Sequence, residues 1–156
     1  MTTVPFKHSN SIVIAAPAEK IFDYVTNPKS WPEWLPSSHE IDCDNRPMGF
    51  GDTFHEHWST RSGRVDLDWV VIACERPSLW IGLTQTTFIG PVVVQYSLEP
   101  ADGGTRFTRT VRNPQRPRAA TDDQVRRIDE EAKLGLANIR NNVEGLWNTM
   151  GSAGTR

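Results

Sequence analysis

Cysteine is scarce in this chain, and so are long apolar runs and any excess of one charge. Among 156 residues there are two cysteines, and 17 Lys and Arg stand against 19 Asp and Glu. Cys43 and Cys74 lie too far apart in sequence for a metal knuckle, which leaves them as reduced thiols that pack like small core side chains. No run approaches the ~20 apolar residues of a membrane-spanning helix, so no membrane partner is expected. The opening stretch MTTVPFKHSNS holds no apolar signal core, and the expected compartment is the cytoplasm. No basic stripe is concentrated enough for a phosphate backbone, so nucleic acid is not an expected partner. No serine or cysteine sits in a Gly-x-Ser-x-Gly elbow, and no glycine-rich phosphate loop follows a strand. Nucleophilic and nucleotide chemistry therefore find no support.

What the chain does have is a globular mix of 37% apolar and 23% charged residues, over a length that suits one domain spanning 1–156. It is rich in tryptophan, with six, at 31, 34, 58, 69, 80 and 147. Aromatic rings fill cores, and they also line cavities that hold flat apolar ligands.

The punctuation is that of a strand, short helices, a run of strands and a long helix. SIVIAAP (11–17) reads as a strand. Pro17 then suits a helix start, with Ile21, Phe22 and Val25 at helical spacing, and Pro28 stops that helix. KSWPEWLP (29–36) is a short proline-bounded turn or helix carrying Trp31 and Trp34. Strand patterns follow at 39–44, 52–60, 64–75, 79–88, 92–100 and 104–112, divided by RPMGFG, RSG, ERPS, IGP and ADGG. Short connections between consecutive strands predict an antiparallel meander. TDDQ then opens the last helix as a capping box, Thr121 with Gln124. Its apolar stripe is predicted to run through Val125, Ile128, Ala132, Leu136, Ile139, Val143, Leu146, Trp147 and Met150. Gly135 lies at the edge of that stripe and has two readings: close packing against a bulky neighbour, or room left for something else.

Four segments in order carry a family resemblance: IVIAAPAEKIFDYVTNPKSWPEWLP, MGFGDTF, ERPSLW and SLEPADGGTRFT. Together they resemble the START-like SRPBCC superfamily, in particular its polyketide cyclase/dehydratase-like branch. The resemblance implies an α+β helix-grip fold. In that fold a curved antiparallel sheet of about seven strands wraps a long C-terminal helix, and two short helices follow the first strand. It also implies a cavity between sheet and helix for a hydrophobic ligand. It implies no shared catalytic signature, so enzyme and carrier both stay open.

Within TFHEHW (53–58), His55 and His57 are two residues apart and share one face of a strand. The opposite face carries Phe54, Glu56 and Trp58, which have more apolar area to hide at ~25 cal/mol per Å². That face is therefore expected to line the cavity, with the histidines outside. Glu56, desolvated between two aromatics, becomes a candidate general acid or base. Its other reading is an acid partnered by a neighbouring element. The same alternation aims Trp69, the set Leu79, Ile81, Leu83 and Gln85, the set Val94, Tyr96 and Leu98, and the set Phe107, Arg109 and Val111 inward. Tyr96 and Arg109 are candidates to fix a carbonyl or phenol oxygen, or else polar tips at the sheet rim.

The expected catalytic set is thus Glu56, Tyr96 and Arg109. The expected ligand-binding set is Trp31, Trp34, Phe54, Trp58, Trp69, Leu83 and Gln85, with Phe107, Gly135 and Ile139. No cofactor and no metal ligand are assigned. The expected function is binding of a hydrophobic cyclic or aromatic small molecule, with polyketide-type cyclisation or dehydration as its chemistry. One alternative is a non-enzymatic carrier or sensor of a lipid-like or aromatic ligand. Another is a metal-assisted enzyme using His55 and His57. Leu134, expected to be exposed on the last helix, leaves a homodimer open.

Overall fold

The computed structural model describes residues 2–37, 39–60 and 62–154, with residues 147–154 described by their backbone alone. Strand β1 (Phe6–Ile14) leads into α1 (Ala18–Val25). A 3-10 turn at Pro28–Ser30 then runs directly into α2 (Trp31–Trp34). Six strands follow: β2 (His39–Asp42), β3 (Thr53–Thr60), β4 (Gly63–Glu75), β5 (Leu79–Thr86), β6 (Gly90–Ala101) and β7 (Gly104–Asn113). The chain then enters α3 (Asp122–Gly154).

All strands join one antiparallel sheet in the order β1-β7-β6-β5-β4-β3-β2. Consecutive strands from β2 to β7 are neighbours, as short turns require. Only β1 pairs out of sequence, closing the sheet beyond β7. This is the helix-grip α+β architecture, with the seven strands, two short helices and long C-terminal helix expected of it.

The first strand begins earlier than its composition predicts. It starts at Phe6 and ends at Ile14, not at Pro17, and all nine residues pair with β7, from Phe6↔Asn113 to Ile14↔Thr105. Lys7, Ser9 and Ser11 are exposed while His8 and Asn10 are half-buried. A polar stretch is held as strand by its neighbour's backbone, which overrides weak intrinsic preference.

In α1, Ile21, Phe22 and Val25 are buried as their spacing predicts. Trp31 N–H donates to the Val25 carbonyl (3.1 Å) and Trp34 N–H to Ser30 Oγ (3.2 Å), so both indoles of α2 are buried with their polar ends satisfied.

The capping box forms: Gln124 N–H donates to Thr121 Oγ1 (3.1 Å) and Thr121 N–H to Gln124 Oε1 (2.9 Å). Helix α3 buries Leu136, Ile139 and Val143, in contact with β1, α1 and α2. Val125 and Leu146, predicted to lie on the buried stripe, are exposed, because burial is confined to the middle of the helix. The side chains of Trp147 and Met150 lie outside the described residues. Leu134 is exposed. No helix among the described residues is long and apolar enough to cross a membrane.

The β6–β7 hairpin closes through two glycines with different duties. Gly103 has φ +87° and nothing near the position of a Cβ, whereas Gly104 has φ +148° and a Cβ there would stand 2.0 Å from the Ile14 carbonyl oxygen. At Gly104 the end of β1 passes directly over the backbone. Gly104→Ala is expected to cost about 2–4 kcal/mol in urea unfolding, combining backbone strain and overpacking. Gly103→Ala should cost about 1 kcal/mol, the left-handed backbone penalty alone. Equal losses at the two positions would contradict this account.

Candidate functional site

The facing of β3 follows the apolar argument. Phe54 and Glu56 are buried on the inner side, at 5% and 2% exposure, and Trp58 is half-buried beside them. His55 and His57 lie on the outer side, opposite Asp68 and Asp66 of β4. The sheet therefore separates the histidine pair from the cavity.

Between the inner face of the sheet, α2 and the N-terminal half of α3 lies a cavity of about 380 Å³. Of the expected ligand-binding set, Trp31, Trp34, Trp58, Trp69 and Gly135 line it, and so do Glu56, Tyr96 and Arg109. Phe54, Phe107 and Ile139 are buried in the packed core but do not line the cavity. Gly135 meets the backbone of α2, where a Cβ would stand 3.4 Å from the Trp34 carbonyl oxygen. That favours the close-packing reading, at a point that also borders the cavity.

Leu83 and Gln85 correct the expectation for β5. Leu83 pairs with Val70 and Val93 on the outer face, and Gln85 is exposed. The inner face is made instead by Trp80, Gly82 and Thr84. Trp80 is fully buried and donates its N–H to the Met48 carbonyl (2.9 Å). Its ring lies against Gly82, where a Cβ would come within 2.8 Å of it. Three aliphatic residues on one face lose to one indole that has a recess to fill and a hydrogen-bond acceptor to meet.

Glu56 is a partnered acid. Trp69 N–H donates to its Oε1 (3.0 Å), and His39 Nδ1 meets its Oε2. His39 comes from the edge strand β2, with its side chain 9% exposed, and its ring stacks on Trp58 at 5.8 Å between centroids and 7° between planes. Both carboxylate oxygens are thus engaged, which offsets the cost of bringing a charge out of water.

A second polar group is built by β7, β6 and β1. Arg109 stands directly opposite Tyr96 in the β6–β7 register, and its guanidinium lies 5.7 Å from the Trp34 ring centroid. Tyr96 is 1% exposed and stacks on Trp80 at 5.0 Å. Burial pushes its phenol well above the ordinary value, against the opposing pull of Arg109, so the hydroxyl stays protonated near neutral pH. His8, across from Val111, also lines the cavity. Burial first, and then the Arg109 charge, lower its pKa to about 4. Among the described residues no carboxylate lies within ion-pair distance of Arg109. Its Nε, His8 Nδ1 and Trp58 Nε1 are all buried without a hydrogen-bond partner among the described residues.

His39 and His8 are two of the cavity residues that sequence reasoning missed; Thr84, Asn113, Arg116 and Glu131 are others. His39 shares the inner face of β2 with Ile41, and antiparallel pairing of the short strand to β3 would have placed it near Glu56. His8 lay outside the predicted bounds of the first strand.

The profile of the polyketide cyclase/dehydrase and lipid transport family matches residues 5–144. No curated protein matches the sequence. Among solved structures, the chain is similar in fold to protein CV1439 from Chromobacterium violaceum, at TM-score 0.70 and 12% identity, covering 88% of this chain and 97% of that one. A Rhodobacter sphaeroides protein gives TM-score 0.70 at 20% identity, covering 90% and 93%. Ara h 8.0201 gives 0.65 at 16%, covering 90% and 98%. At these identities the likeness concerns the fold.

The lowered pKa of His8 sets a pH dependence. Folding favours the neutral ring, so this contribution to stability is present in full above the unfolded value of 6.5 and is lost as pH falls towards 4. His8→Gln should therefore show a smaller loss of stability between pH 6.5 and pH 4 than the natural chain, followed by urea unfolding at each pH. An unchanged pH profile would contradict the placement of His8.

Proposed function

Because the chain belongs to the polyketide cyclase/dehydrase and lipid transport family, we propose that its cavity binds a cyclic, largely apolar small molecule. That molecule carries an oxygen, and Arg109 and Tyr96 hold it. The observation that carries this reading is the buried, unpartnered Nε of Arg109 beside the protonated Tyr96 hydroxyl, at the wall of a mostly apolar cavity. A carbonyl, enolate or phenolate oxygen would satisfy both donors, and either of the two anions would also balance the cation. The tryptophans supply faces for a flat ring to stack on.

The chemistry we assign to this site is proton transfer of the cyclisation or dehydration type. The His39–Glu56 pair would take a proton from a carbon next to the held carbonyl and return it to a departing hydroxyl. Arg109 and Tyr96 would stabilise the enolate oxygen formed between the two steps. A second reading has its own support. Both Glu56 oxygens already have partners in the chain, an arrangement that also suits a carrier whose acid only shapes the cavity.

Two measurements test these statements. The anionic aromatic probe 8-anilinonaphthalene-1-sulfonate should bind the cavity with increased fluorescence. Arg109→Gln should weaken it about 10–100-fold, the value of one charge-assisted hydrogen bond. Equal affinity would remove Arg109 from the site. The second measurement is native mass spectrometry of protein purified from its own host, to identify the retained compound. That compound is then incubated with the natural chain and with Glu56→Gln. Conversion by the natural chain alone, read by chromatography as well as mass because a cyclisation that keeps its water leaves the mass unchanged, supports acid–base chemistry, and no new product with either supports the carrier.

A further inference from the structure

The cavity leaves unused the two histidines that β3 turns outward. On that convex face they stand between carboxylates from both neighbouring strands. In the β2–β3 register Asp42 is opposite His55 and Glu40 opposite His57, and in the β3–β4 register Asp68 is opposite His55 and Asp66 opposite His57. The contacts are close: His55 Nδ1 lies 2.6 Å from Asp68 Oδ1, His57 Nδ1 meets Asp66 Oδ1, and His57 Nε2 is 3.4 Å from Asp42 Oδ2. The two imidazole centroids are 4.5 Å apart. One donor atom each from His55, His57 and Asp66 can be chosen so that all three lie within 4.8 Å of one another. Among the described residues, Arg64 is the cation that reaches this group, 3.5 Å from Asp66. Four carboxylates against one arginine make the patch attractive to a cation.

We propose that His55, His57 and Asp66 form a binding site for a divalent metal of the zinc class on the convex face of the sheet. Two imidazole nitrogens and one carboxylate oxygen are the donor set of zinc and its neighbours, while calcium and magnesium favour oxygen alone. Zinc bonds of about 2.0–2.2 Å require the donors to rearrange by about 1 Å, the outer ones drawing in and the His57–Asp66 contact opening to admit the ion. These side chains are free to do so, with 33%, 22% and 58% of their surfaces exposed. The solvent side leaves a fourth position for water. Asp68 and Asp42 flank the two imidazoles and would fix their orientation and tautomer, as carboxylates behind metal-bound histidines commonly do.

The position gives the site its consequence. The two histidines lie on β3 and Asp66 on β4, and Asp42 ties in the edge strand β2. The other face of β2 carries His39 to Glu56. A metal here is a cross-brace over three strands, outside the cavity and separate from its chemistry.

Metal-free protein, whole chain, titrated with zinc chloride by isothermal calorimetry tests this, with thermal unfolding followed in parallel. The expected result is one zinc per chain and a rise in melting temperature. The His55→Ala/His57→Ala double variant should lose affinity more than about 100-fold, and Asp68→Asn about 10-fold, the range for an orienting partner. Asp102→Asn, in the distant β6–β7 turn, should bind as the natural chain does. The substitutions lie on an exposed face, and circular dichroism should confirm unchanged folding. Absence of saturable binding, or zinc binding that persists in the double variant, would overturn the proposal.

Discussion

The direction in which β3 turns its side chains decides what this protein can do. With a period of two, a slip of one residue would put Phe54 and Trp58 in water and bring two histidines inside. The apolar area of the two aromatics opposes that slip, but the same choice forces Glu56 indoors. A buried carboxylate without partners costs several kcal/mol. The fold meets that cost with the Trp69 N–H from the next strand and His39 from the edge strand. Facing, burial and the acid's partners therefore form one constraint, shared by β2, β3 and β4.

From that constraint the aromatic interior follows. Trp31 stands edge-on to Phe54, Trp69 and Trp80, with centroids 5.3, 5.5 and 6.3 Å away. Tyr96 extends the cluster through Trp80, Phe107 and Trp34. Rings this large tile the concave face without filling the space under the N-terminal half of α3, where Ile128 and Ala132 border the cavity. Two of the polar groups at its wall, Glu56 and Arg109, are held differently. Both Glu56 oxygens have partners within the chain. Arg109 has a π-face and a phenol beside it and, among the described residues, no carboxylate within ion-pair distance. The proposed ligand chemistry rests on that asymmetry.

Much of this was legible in the residues. The capping box at Thr121, the turns between strands, the order of elements and the inward facing of Glu56 all rest on local rules that the tertiary structure did not override. The failures have physical causes. In β5 the aliphatic set Leu79, Ile81 and Leu83 suggested the wrong face, because the fit of Trp80 over Gly82 is visible only when the strand is packed. The start of β1 is held by β7, a partner about a hundred residues away. His39 needed a register, not a motif, to be placed beside Glu56. Val125 and Leu146 fit the helical period, yet nothing covers them among the described residues, since periodicity says which face is apolar and not how far the cover extends.

The measurement that bears most directly on this account is a double-mutant cycle between His39 and Glu56, using His39→Phe, Glu56→Gln and the pair, read by urea unfolding at neutral pH. If the buried acid is held by the edge-strand histidine, the losses will be coupled by about 1–3 kcal/mol, with the double variant less destabilised than the sum of the singles. Losses that add to within about 0.5 kcal/mol would contradict it. Glu56 would then owe its place in the cavity to something other than the interaction from which the rest of the site has been derived.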